Sequence, residues 1–162
     1  MESTPPTARD AAEESIVSDV QALSAESDEL GRVFCARHDL GPNDFRALLN
    51  VMVAERDGVP LTQSQLGQRI GVSGAAITYL VERMVASGHL SREPHPADRR
   101  KVLLRYGERG SAVARSFFTP LGQHMEAELR DFSTAELTTA HRVLAAVLES
   151  LRVFNAELRA DG

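Results

Sequence analysis

Residues 63–81, QSQLGQRIGVSGAAITYLV, constrain the fold of this chain more than any other stretch. Leu66, Ile70, Val72, Ile77 and Leu80 recur at spacings that suit the inner faces of two short helices meeting at a sharp angle. Thr62 with Gln65 three residues on has capping-box spacing, which starts the first helix. Gly67 carries no side chain where the helices cross, and Gly71 supplies the left-handed residue of the turn. Ser73 caps a second helix over about residues 74–86, with Ile77, Leu80, Val81 and Met84 inside and Gly88 closing it. This is helix-turn-helix spacing, although helical hairpins that bind nothing share much of it.

Beyond Gly88 the apolar period changes from 3.6 to 2. Residues 89–93 read as one strand, and Val102, Leu104 and Tyr106, alternating with Lys101, Leu103 and Arg105, read as another. Pro94, His95, Pro96 and Ala97 form the connection, so the pair is a hairpin with an extended tip. The tip carries Asp98, Arg99, Arg100 and Lys101. A basic hairpin directly after a major-groove helix can reach the flanking minor groove, and Asp98 can hold the Arg100 guanidinium by charge-assisted hydrogen bonds. A solvated basic turn is the alternative reading of the same four residues.

The flanking sequence is helical. Residues 1–13, rich in Pro, Thr, Ala and acidic side chains, lack an apolar period and predict a mobile tail. Ile16, Val20, Leu23, Leu30 and Phe34 then mark one long amphipathic helix ending near His38. Asn43 can cap the next, in which Phe45, Leu48, Leu49 and Met52 make the buried face. After the hairpin, a helix from Gly110 to about Asp131 is interrupted by Thr119-Pro120, which predicts a kink or restart. Ser133 and Glu136 form another capping box. Behind them Leu137, Ala140, Leu144, Val147, Leu151, Phe154 and Leu158 keep three heptads of seam without a miss. The expected fold is mainly α with a small β-hairpin wing. After the tail, residues 14–162 form a single unit: a winged helix-turn-helix over residues 43–106, and long terminal helices, residues 14–40 and 108–160, for dimerisation.

Charge divides along the same line. The chain of 162 residues has a net charge of −5, which by itself argues against nucleic acid. Residues 62–105, however, hold seven basic and three acidic side chains, a local +4 that leaves −9 for the rest. That asymmetry fits a DNA-facing segment on an acidic body. No apolar run approaches the ~20 residues that span a bilayer, so a cytoplasmic protein with no membrane partner is expected.

The segment at about residues 40–110 resembles the MarR family of multiple antibiotic resistance regulators. The resemblance is carried by LTQSQLGQRIGVSGAAITYLVERMVASGHL, the wing's Asp98-x-Arg100, and then Glu108 and Gly110. It implies an obligate homodimer built by the first and last helices, with a recognition helix in the major groove of a pseudo-palindromic operator and wing arginines in the adjacent minor groove. It also implies small ligands, often phenolic or otherwise aromatic, that bind between the DNA-binding and dimer regions and release the DNA. No residue is assigned to that ligand. Two departures stand out: Tyr79 replaces a residue often basic, and Tyr106-Gly107 replaces Leu-Thr, leaving glycine as a weaker cap.

The DNA-binding set is therefore Gln63, Ser64 and Gln65 at the first helix's start, where free amides favour phosphate. Ser73, Gly74, Ala75, Thr78 and Tyr79 lie on the second helix's outer face, with Tyr79 on the wing as its alternative. Arg83 reaches for the backbone one turn on, and Asp98, Arg99, Arg100 and Lys101 act from the wing. A recognition face this small and uncharged reads by hydroxyls and apolar contact with thymine methyls rather than by arginine on guanine.

An enzyme is the first rival class. There is no phosphate loop, no Gly-x-Ser-x-Gly and no His-Glu-x-x-His, so neither catalytic residues nor a cofactor is expected. His38, His89, His95, His124 and His141 do not cluster and read as surface or cap residues, so no metal site is assigned. A metal-responsive regulator using His38 and His124, a redox-responsive one using Cys35, and a winged-helix module that binds protein remain as alternatives. Cys35 itself reads best as a small buried hydrophobe.

Overall fold

The computed structural model describes residues 7–96, 98 and 101–160. The chain divides into two compact units, residues 1–117 and 118–162.

The first unit opens with α1 (Ala8–His38), α2 (Pro42–Arg56), α3 (Gln63–Ile70) and α4 (Gly74–Ala86). The antiparallel pair β1 (Leu90–Pro94) and β2 (Val102–Tyr106) follows, and α5 (Glu108–Leu129) begins in this unit. Helix α1 starts at Ala8, inside the stretch expected to be a tail. The Thr7 hydroxyl accepts the Asp10 N–H, the Asp10 carboxylate accepts the Thr7 N–H at 2.7 Å, and alanine and glutamate follow. Strong helix formers behind a good cap need no apolar period to stay helical. Only Gly31 and Phe34 of α1 are buried, so its apolar stripe is covered at one end only. At Gly31 a methyl group would lie 2.8 Å from Phe45 Cε1, which lets α1 and α2 pack closely.

The cap of α2 falls two residues earlier than Asn43. Gly41 is the N-cap, Pro42 opens the helix, and the Asp44 carboxylate accepts the Gly41 N–H at 2.8 Å. The core gathers Phe34, Leu48, Val51, Leu66, Ile70, Leu80, Val81, Met84, Leu90 and Leu104. Phe34 meets Phe117 edge to face at 4.9 Å, which brings the first turns of α5 onto that core.

The wing pairs Leu90 with Tyr106 and Pro94 with Val102, so Pro94 ends the strand instead of belonging to the connection. A proline is tolerated at the end of a two-stranded ribbon, where its missing N–H costs little. Strict alternation in β2 fails, since Leu103 and Leu104 are both buried. The cause is a short bridge from the segment before α3: Leu104 N–H donates to Leu61 O at 2.8 Å, and Thr62 pairs with Leu103.

The second unit holds the remainder of α5 and α6 (Thr134–Ala160). Helix α5 does not restart at Thr119-Pro120 but runs on to Leu129 with Pro120 inside it. The Ser133–Glu136 box caps α6 as expected, with Glu136 accepting the Ser133 N–H at 2.8 Å. No residue of α6 is buried, and Leu144, Leu151 and Phe154 stay 46%, 49% and 58% exposed. No helix among the described residues is long and apolar enough to cross a membrane.

Candidate nucleic-acid interface

Two caps and one glycine fix the angle at which α4 is presented. The Thr62 hydroxyl accepts the Gln65 N–H, and Gln65 returns its side-chain oxygen to the Thr62 N–H at 2.8 Å. Gly71 ends α3 at φ +72°, a conformation that costs glycine nothing. Ser73 Oγ accepts the Ala76 N–H to start α4. At Gly67 a methyl group would lie 3.1 Å from Ile77 Cγ2, so the helices cross there as the sequence predicts.

The outer face of α4 is open. Ser73, Gly74, Ala75, Ala76 and Tyr79 are exposed, and Tyr79, at 69%, stands in solvent rather than packing on the wing. Thr78 is half-buried, because its Oγ1 donates to Gly74 O and accepts from Gln63 Nε2, both at 2.9 Å. The structure therefore separates the three residues at the start of α3. Gln63 is tied to α4, Gln65 is spent on its cap, and Ser64 is exposed. Ser64, Gln65, His95 and Lys101 all line one open cleft of about 390 Å³ between α3 and the wing.

Arg83 departs from its expected role. Its guanidinium pairs with Asp44, whose side chain is 1% exposed, while that of Arg83 is 47% exposed. The hydrogen bond to Asp44 raises the arginine's pKa. A carboxylate sealed in a core needs such a partner, so Arg83 couples α4 to α2 before it is available to anything outside. Arg105 is committed as well, donating to Glu93 at 2.7 Å and lying 3.9 Å from Glu55. Two of the seven basic residues counted between 62 and 105 thus serve internal acids.

At the wing tip, Arg99 and Arg100 lie outside the described residues, and so does the expected Asp98–Arg100 pairing. The backbone around them closes on itself: His95 N–H donates to Lys101 O at 3.0 Å and Lys101 N–H to Asp98 O at 2.9 Å. Lys101 Nζ lies 3.9 Å from Asp98 Oδ2.

Sequence reasoning missed Asp44 and misplaced His89. His89 is buried, not on the surface; its Nδ1 lies 2.8 Å from Ser87 Oγ, and among the described residues its Nε2 has no partner. Burial lowers its pKa, Arg109, Arg83 and His38 lower it further, and Asp44 opposes them. Cys35 is half-buried with Sγ 3.5 Å from Gly41 O; burial and then Asp44 push its thiol up, which leaves little thiolate. Beside it α1 and α2 border a mostly apolar cleft of about 590 Å³, whose lining includes Gly31, Phe45 and Leu49 together with Asp28, Arg32 and Arg46. Among the described residues no three His, Cys, Asp or Glu side chains gather as a metal site.

A sequence model of the MarR family matches residues 38–101, the stretch from the end of α1 through the wing tip. The multiple antibiotic resistance protein MarR of Escherichia coli is 26% identical over 130 residues, covering 80% of this chain and 88% of that protein. Over residues 38–101 this chain is similar to the MarR family. A second relative, the uncharacterized HTH-type transcriptional regulator YcgE of Bacillus subtilis, is 31% identical over 78 residues. That match spans 48% of this chain and about half, 51%, of YcgE. Among solved structures, a MepR mutant from a multidrug-resistant S. aureus clinical isolate superposes with a TM-score of 0.66 at 15% identity, over 84% of this chain and 96% of that one. Another S. aureus MepR mutant, solved bound to an oligodeoxyribonucleotide, gives 0.51 at 16% identity, over 84% and 97%. At those identities the MepR structures speak for the fold of this chain alone.

Proposed function

We propose that this chain is a DNA-binding transcription regulator of the cytoplasm, acting as a homodimeric repressor that a small ligand releases from a pseudo-palindromic operator. The observation that carries the reading is the outer face of α4, locked in angle by its caps and the Gly67 crossing yet left open to solvent. A surface held so firmly and left exposed among the described residues fits insertion into a major groove.

Two further observations support the finer parts. Helix α6 keeps a continuous apolar seam exposed from Leu137 to Leu158, and a second copy meeting it through residues 14–40 and 108–160 would bury what one chain leaves out. The cleft between α1 and α2 suits an apolar or aromatic ligand, with Arg46 for an acid's carboxylate, since Arg32 already pairs with Glu29 and Asp28 lines the same cleft. The raised Cys35 thiol speaks against the redox-responsive alternative. The nearly uncharged face of α4 favours a second reading, a module that docks on protein, and salt separates the two. DNA affinity falls steeply as salt rises, by a slope of about 0.9 per phosphate neutralised.

Fluorescence anisotropy on the intergenic duplex upstream of the chain's own gene tests the proposal. The upstream duplex is expected to bind tighter than random sequence at physiological salt. Arg99→Ala with Arg100→Ala is expected to flatten the salt slope by about one for each phosphate no longer neutralised. Equal binding of random duplex removes the operator reading, and an unchanged slope in the double variant removes the wing arginines from the interface.

A further inference from the structure

The hydroxyl of Thr78 has its proton and one of its two acceptor sites engaged inside the protein. Its Oγ1 lies 2.9 Å from Gly74 O and 2.9 Å from Gln63 Nε2. A carbonyl can only accept, so the single hydroxyl proton goes to Gly74, and the oxygen must then accept from the amide of Gln63. Turning the amide over would set two acceptors against one proton, so the two distances together decide its orientation. A β-branched side chain whose oxygen is pinned twice keeps one rotamer. What Thr78 has left for a ligand is its γ-methyl and a single acceptor site on Oγ1, with no proton to donate. Its neighbours on the outer face of α4, Gly74 and Ala75, are exposed and carry no polar side-chain atoms.

We propose, resting on the reading of α4 as a DNA-reading helix, that Thr78 recognises the 5-methyl group of a pyrimidine, in ordinary DNA thymine, through its own methyl. Gln63 is the positioning residue that holds it there from the neighbouring helix. A free hydroxyl would hydrogen-bond either a donor or an acceptor on a base edge and so discriminate weakly; a methyl distinguishes a 5-methylated pyrimidine from all else in the major groove.

The experiment starts from a duplex selected by the full-length protein out of a random library, with affinity read by fluorescence anisotropy. Each thymine is replaced in turn by deoxyuridine, which removes only the 5-methyl. One position in each half-site is expected to lose about fourfold in affinity, the worth of one apolar methyl contact. Cytosine at that position is expected to bind poorly and 5-methylcytosine to recover part of the loss. Thr78→Val is expected to keep both affinity and the thymine-to-uracil ratio, whereas Thr78→Ser, which keeps the hydroxyl, brings that ratio to one. Gln63→Ala is expected to lower the ratio in the natural chain and leave it unchanged in a Thr78→Val background, because valine needs no tether. A uniform loss of affinity in Gln63→Ala does not alter that ratio, so a phosphate contact by Gln63 is separated from the positioning role.

The inference is overturned if no thymine responds to loss of its methyl, or if Thr78→Val loses tenfold while Thr78→Ser binds normally. If the natural chain selects no duplex and binds DNA no more tightly at low salt than at high, the DNA-reading function itself falls, a different result from either.

Discussion

The helix-turn-helix with its wing and the terminal helix α6 are built from the same kinds of residue, yet they dispose of them in opposite ways. Leu66, Ile70, Leu80 and Met84 are each at most 6% exposed within their own unit. Leu144, Leu148 and Leu151, at the same helical spacing, are 46%, 52% and 49% exposed. The difference lies in what surrounds the stripe. Helices α3 and α4 are short, sharply turned and roofed by α2 and the wing, so their apolar faces converge. A lone helix of 27 residues has no such geometry, and its seam stays exposed. The first region is a self-sufficient core and the second, on our proposal, half of an interface.

Breaking the second half should have the larger effect. Leu144→Asp with Leu151→Asp removes four leucines per dimer, each with about half its surface still to bury, or about 3–6 kcal/mol in all before the cost of the buried charges. Sedimentation equilibrium is expected to show monomers, with operator affinity lost. Retained dimers would disconnect α6 from assembly. The helix-turn-helix is expected to keep its fold in that variant.

Breaking the first region calls for its internal ion pair. Arg83→Ala strands the carboxylate of Asp44, and should cost about 3 kcal/mol in denaturant unfolding, the low end for a buried pair because Arg83 is half exposed. Asp44→Asn with Arg83→Met is expected to recover most of that loss. If Arg83→Ala instead weakens only DNA binding, the arginine acts on phosphate and the pairing is incidental.

The smallest effect concerns pH. The pKa of His89 is lowered in the folded chain, so the unfolded chain binds the proton more readily. The stability that neutral His89 contributes is present above its unfolded value of 6.5 and is lost as pH falls from there towards the lowered folded value. The slope is at most about 1.4 kcal/mol per pH unit. His89→Gln is expected to flatten this part of the stability profile; a profile identical in the two proteins would remove His89 as its source.

Local chemistry makes the reading region legible in the sequence. Thr62, Gly71, Ser73 and Ser133 act within four residues of themselves, and each stands where its spacing predicts. The Asp44–Arg83 pair joins residues 39 positions apart, and no spacing rule reaches that far. The bridge from Leu61 to Leu104 is equally remote, and it is why the alternation expected along β2 fails at Leu103. The tail reading fails at Ala8 for a different reason: helix formation there rests on a cap and on alanine, with no apolar stripe to announce it. The candidate site is legible as a set of positions, but not as a set of roles. Gln63, Gln65 and Arg83 are all found by spacing, and each has an internal bond that only the fold reveals.

Gly107 reads in the sequence as a weaker cap, yet its place in the fold gives it a different duty. A methyl group there would lie 2.2 Å from Gly88 O, and one at Gly110 would lie 2.1 Å from His89 O. The first turn of α5 therefore rests on the bare backbone between α4 and β1, secured by Gly107 N–H on His89 O at 2.9 Å. Side chains can absorb a displacement by changing rotamer; peptide planes in direct contact cannot. The start of α5 and the root of the wing therefore meet through backbone alone, and any side chain at either glycine would have to push the two elements apart.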